Sequence, residues 1–117
     1  MSANIIPLGC LKNIVMNRIE KILEMINTNG KDSFLQHALA LEYIKIGNEQ
    51  LALEQFLSLL TDNPQYVGSY YHLGKLYERV GENEKAISTY EKGMIEAKNA
   101  KDNHSYNELM MAKEELE

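Results

Sequence analysis

A shift of 34 residues lays this chain on itself: Leu39 falls on Leu73, Tyr43 on Tyr77, Gly47 on Gly81, Ala52 on Ala86 and Phe56 on Tyr90. Both chemical class and size are kept across the window. A period of this length restricts a chain to stacked copies of one supersecondary unit, each of which buries its apolar face only against its neighbours. With 117 residues the chain has room for one such domain and about three units.

Each unit reads as helix, tight turn, helix. In the first, Asp32 or Ser33 can cap a helix running to about Ile46, and Gln36 three residues after Ser33 supports a capping box. Gly47 supplies the left-handed residue that ends it. A second helix runs from about Glu49 to Thr61, where Asp62-Asn63-Pro64 stops it. The second unit repeats the plan with a helix over about 67–80, Gly81, and a helix over about 83–98. Gly81 is therefore expected to need a positive φ, whereas Gly93 lies mid-helix, where valine has the better propensity unless packing forbids it. The expectation is that Gly81→Val destabilises more than Gly93→Val.

These residues resemble the tetratricopeptide repeat, whose signature is W-x2-L-G-x2-Y, then A-x3-F, then P. The first unit has Gln36-x2-Leu39-Ala40-x2-Tyr43, Ala52-x3-Phe56 and Pro64, and the second has Tyr70-x2-Leu73-Gly74-x2-Tyr77 and Ala86-x3-Tyr90. Gln36 replaces the first aromatic, and Lys98 stands where the second proline would be. Small residues at Ala40, Ala52, Gly74 and Ala86 let paired helices approach closely, and Leu39, Tyr43 and Phe56 fill the space they leave. The resemblance implies an all-α, right-handed superhelical stack.

The flanks complete the stack. Residues 14–28 carry Val15, Ile19, Ile22 and Ile26 at helical spacing, which reads as the second helix of a preceding half-repeat, with Arg18 where the small alanine belongs. Residues 103–117 form a capping helix, with Tyr106, Leu109, Met110 and Leu116 inward and Glu108, Glu114, Glu115 and Glu117 toward water. The expected organisation is an irregular extension over 1–13 and one domain over 14–117, with repeats at 33–64 and 67–98.

Charge and motifs exclude much chemistry. A net charge of −5 opposes nucleic-acid binding, which draws on an excess of Lys and Arg. The chain holds no apolar run near the ~20 residues of a membrane span, and nothing basic precedes the apolar start as a secretory signal requires. One cysteine, Cys10, excludes an intramolecular disulfide and suits a cytoplasmic setting. Gly-rich phosphate loops, nucleophile elbows and paired-cysteine motifs are absent. His37 and His72 have no carboxylate in register and make a poor metal site. The sequence thus implies no enzyme, no cofactor and no metal.

Binding is the remaining class. In the family it resembles, the first helix of each pair lines a concave groove that takes peptides or partner segments. Carried onto this chain, the groove stripe is Phe34, His37, Leu41, Ile44 and Lys45 in the first unit and Gly68, Tyr71, His72, Lys75, Glu78 and Arg79 in the second. An apolar half beside a largely cationic half predicts a protein or peptide partner that joins a large apolar residue to one or two carboxylates. The alternative is self-association through the apolar groove or a terminal helix, giving a homo-oligomer.

Overall fold

The computed structural model describes residues 8–117, with side chains from Asn13 onward, and these residues form six helices. They are α1 (Leu8–Asn29), α2 (Ser33–Lys45), α3 (Glu49–Asp62), α4 (Gly68–Arg79), α5 (Asn83–Asn99) and α6 (Asn103–Leu116). The all-α, repeat-like plan read from the sequence is the one found. At the amino end the helix starts at Leu8, so the extension expected over 1–13 is helical from residue 8. Residues 1–7 and the side chain of Cys10 lie outside the described residues.

Helix ends follow from local chemistry. Asp32 is the cap of α2: its backbone is extended (φ −118°, ψ 134°), and its carboxylate accepts from the N–H groups of Phe34 at 2.8 Å and Leu35 at 3.3 Å. A carboxylate at this end also meets the positive pole of the helix. With Asp32 as cap, Leu35 holds the third position, so Gln36 sits one residue too far on for the expected capping box and is buried instead. After α2 the N–H of Gly47 donates to the Ile44 carbonyl at 3.0 Å and that of Asn48 to Tyr43 at 2.9 Å. Gly81 and Glu82 repeat these two bonds after α4, and the glycines have φ of +78° and +83°. Both are Schellman ends, as the sequence required. After α5 the same pair of bonds forms through Lys101, a side-chain-bearing residue at φ 59°.

The chain divides into two compact units, Met1–Gln55 and Phe56–Glu117, with the boundary inside α3. In the first, α1 lies along α2, and Ile19 and Ile22 bury against Leu39, surrounded by Val15, Ile26, Leu35, Ala38, Tyr43 and Ile46. Ala40 and Ala52 are fully buried. Arg18, on the position of the small alanine, stays exposed and pairs with Glu42 at 3.8 Å.

In the second unit α5 is packed on both sides, by α4 and by α6. Its core joins Tyr70, Ala86, Tyr90, Ala97, Leu109 and Ala112. A Cβ built on Gly74 would lie 2.1 Å from Cε1 of Tyr90, so the Tyr90 ring occupies the space a side chain would need. On the other side of α5, a Cβ on Gly93 would meet Cβ of Tyr70 at 2.6 Å and Cδ1 of Leu109 at 2.9 Å. Packing thus opposes valine at Gly93, against the expected order: this mid-helix glycine is a contact position between α5 and both neighbours. Gly81 has positive φ but open space around it. In α6, Leu109 and Ala112 are buried, Tyr106 and Leu116 pack beside them, and Asp102 caps the helix by accepting from the Ser105 N–H at 3.1 Å and hydroxyl at 2.7 Å.

Candidate functional site

Tyr71 and Lys75 stand one helical turn apart on α4, and α6 brings Glu108, Met111, Ala112 and Glu115 opposite them. The six residues line a cleft of about 130 Å³ between α4 and α6. Met111 is 60% exposed at its edge. Only Tyr71 and Lys75 of this set were named from the groove stripe. The α6 residues lie outside that stripe because the 34-residue period reaches no further than α5. A shift of 36 would have found them: it sets Tyr106 on Tyr70, Leu109 on Leu73, Met111 on Lys75 and Glu115 on Arg79.

The charge of this face differs from the expected cationic stripe. Lys75 Nζ lies 3.6 Å from Glu78, 3.9 Å from Glu115 and 5.5 Å from the centre of the Tyr71 ring. One cation is thus held by two carboxylates and an aromatic face. Glu78 also accepts the hydroxyl proton of Tyr90; burial and that carboxylate raise the Tyr90 phenol well above its ordinary range. Lys75 is consequently a bridging element of the α4–α6 face. Arg79 is exposed at the end of α4.

His72 is half-buried and packed among aromatic rings. It stacks on Phe56 with centroids 6.4 Å apart and planes 2° from parallel, and meets Tyr71 edge-on at 5.8 Å. Desolvation lowers its pKa below 6.5, against a smaller opposing effect of Glu108, so it is neutral at pH 7. Its ring packs between Phe56 and Tyr71, and the lowered pKa favours the neutral imidazole.

The α2 stripe of the first unit is arranged differently. Phe34 is 68% exposed in the first turn, while His37, Leu41 and Ile44 are half-buried. Lys45 is exposed and pairs with Glu42 at 3.2 Å, the carboxylate that Arg18 also approaches. Glu42 is itself buried and its Oε2 accepts no hydrogen bond among the described residues, so these cations offset the charge of a carboxylate of their own helix pair.

A second cleft, of about 360 Å³, lies in Phe56–Glu117 between the end of α3 and α5. Leu57 and Ile95 flank it at 46% and 61% exposure, with Tyr70 and Leu73 beneath. Thr61 and Thr89 donate their hydroxyls to the carbonyls of Leu57 and Lys85, and Tyr70 donates to Pro64 at 2.5 Å. Three of its hydroxyl donors are therefore spent within the fold, and Tyr77, Lys92 and Glu96 complete a lining of mixed polar and apolar character.

Among the described residues no helix is long and apolar enough to cross a membrane. No group of three or more His, Cys, Asp or Glu side chains among them is placed to hold a metal ion.

The tetratricopeptide repeat family model matches residues 67–94, spanning α4 and most of α5. A tetratricopeptide repeat domain protein from Salinibacter ruber is similar at 42% identity. Its crystal structure superposes with a TM-score of 0.70, over 74% of this chain and 96% of that one. A solution structure of such a domain from the same organism matches at 42% identity and TM-score 0.73, over 74% of this chain and 88% of that one. A Bordetella parapertussis protein shares the fold at 22% identity and TM-score 0.73, over 84% of this chain and 85% of that one. Among curated proteins, none matches.

Proposed function

Because the chain belongs to the tetratricopeptide repeat family, whose members generally serve as non-catalytic protein-interaction modules, we propose that it binds a protein partner on the α4–α6 face around Tyr71, Lys75 and Met111. The observation that carries this reading is Met111, 60% exposed beside the cleft between these helices. An apolar side chain in a concavity, with an aromatic wall and charged rim, has the make-up of an interface anchor. Phe34, His37, Leu41, Ile44 and Lys45 on α2 form the corresponding contact stripe of the first unit, with Phe34 as its exposed anchor. The single cysteine fits a reducing, cytoplasmic setting.

A photo-crosslinking amino acid at position 111 tests this. It should trap a discrete partner from an extract of the source cells, whereas the same group at position 95 on α5 should not. Trapping from position 95 alone moves the interface to the other cleft.

The wide α3–α5 cleft favours a second reading, self-association, since Leu57 and Ile95 leave apolar surface open on both sides of it. Ile95→Glu should then lower the mass measured by light scattering. A chain that is already monomeric at high concentration removes this reading.

A further inference from the structure

We infer that the partner segment taken by the α4–α6 face is basic and apolar, a Lys or Arg close to a Leu-, Met- or Phe-sized side chain. This rests on the reading of that face as the binding surface and fixes the chemistry of its occupant.

Three observations lead there. The cleft is lined by one cation, Lys75, and two carboxylates, Glu108 and Glu115; with Glu78 and Arg79 beside it on α4 the balance is three carboxylates to two cations, so the face keeps a net negative charge. Glu115 has a side-chain exposure of 70% and touches Lys75 at only 3.9 Å, which leaves most of its oxygen surface for a second cation. Tyr71 already holds an ammonium group against its ring, so the wall is suited to a cation in that position. Met111 and Ala112 between these groups supply the apolar contact.

The wider field agrees. The second unit, Phe56–Glu117, carries seven Lys or Arg against eleven Asp or Glu, and thus −4 of the chain's −5. Lys113, the one basic residue of α6, is engaged by Glu91 at 3.4 Å and Glu117 at 3.5 Å. A basic segment is accordingly steered toward this unit and an acidic one repelled.

Lys75 acquires a specific role in this scheme. It occupies, from within the fold, the place that the ligand's cation competes for. Replacing it with a neutral side chain should tighten a basic ligand, the reverse of what a cationic groove for acidic tails requires.

Selection of a random displayed peptide library on the full chain tests the inference, followed by titration of the best peptide. The expected peptides carry Lys or Arg within four residues of a large apolar residue. Their affinity should fall roughly three- to tenfold on Glu108→Gln with Glu115→Gln, the range of two exposed charge pairs. It should rise on Lys75→Gln, and weaken between about 0.01 and about 0.15 M salt as the screening length shortens. Met111→Arg should abolish it. Glu108, Met111 and Glu115 are exposed, so unchanged melting of these variants is required and checked by circular dichroism.

Acidic or uncharged peptides that still depend on Met111 overturn the charge inference and leave the binding face standing. Peptides indifferent to Met111 and Tyr71 overturn the face itself. An empty selection overturns both.

Discussion

Gly93→Ala is the sharpest single test of how α5 is packed. On helix propensity alone the change should stabilise, since alanine is favoured over glycine by about 1 kcal/mol in a helix interior. Geometry opposes this. Ordinary Cβ contacts begin near 3.4 Å, and the new methyl would stand 2.6 Å from Cβ of Tyr70, so the two atoms must separate by about 0.8 Å. The Tyr70 Cβ cannot swing aside, because it is bonded directly to the α4 backbone and its phenol is tied to the Pro64 carbonyl. Leu109 is 1% exposed and has little room to turn. Overpacking of this kind costs about 1–3 kcal/mol, and a displacement that must move backbone belongs in the upper half of that range.

The net expectation for Gly93→Ala is a loss of about 1–2 kcal/mol, and a larger loss for Gly93→Val. Gly81→Val has open space around it and pays only for its left-handed backbone, about 1–2 kcal/mol. The order is then Gly93→Val worse than Gly81→Val. Urea unfolding followed by circular dichroism measures this directly. At a slope of about 2 kcal/mol per molar urea, Gly93→Ala should lower the midpoint by roughly 0.5–1 M. If Gly93→Ala is as stable as the parent, α6 and α4 do not close on α5 at this point, and the reasoning fails.

Other perturbations probe other contacts. Lys101→Gly should stabilise by about 0.5–1 kcal/mol, because Lys101 holds the left-handed end of α5 with a side chain glycine would not strain; a lower melting temperature would argue against this turn. Gly74→Ala should destabilise strongly through the Tyr90 ring, and less so in a Tyr90→Leu background, with a coupling of about 1 kcal/mol or more in a double-mutant cycle; strict additivity would separate the two residues. His72 has a lowered pKa in the folded chain, so the unfolded chain takes up the extra proton first as pH falls. Its neutral-state advantage is complete above pH 6.5 and is lost between 6.5 and the lowered value. The parent should therefore lose more stability than His72→Asn between pH 7.5 and 5.5, and parallel losses would remove His72 from the account.

What was legible in the sequence was what one repeat can express by itself. Gly47 and Gly81 announce their turns because the left-handed end needs only the residues beside it, and the 34-residue period aligns those turns with the buried Leu39, Ala52, Leu73 and Ala86. What stayed hidden depends on partners supplied from another helix. Gly93 looks like an ordinary helix interior until Tyr70 and Leu109 are brought against it from opposite directions in the chain. Lys75 looks like a free cation until Glu115, forty residues later, is placed 3.9 Å away. For Lys75 the missing information is the register of α6; for Gly93 it is also the approach of Tyr70 from α4. At a shift of 36, α6 repeats the tyrosine and leucine of α4, which puts Met111 and Glu115 on the same stripe as Lys75 and Arg79. The repeat is incomplete in one respect. Met110 stands where Gly74 admits the Tyr90 ring, so α6 lacks the small residue by which α4 receives α5. Helix α6 thus carries the stripe of a first helix without that helix's seat for a partner, and the surface it adds next to α4 is acidic, exposed and centred on Met111.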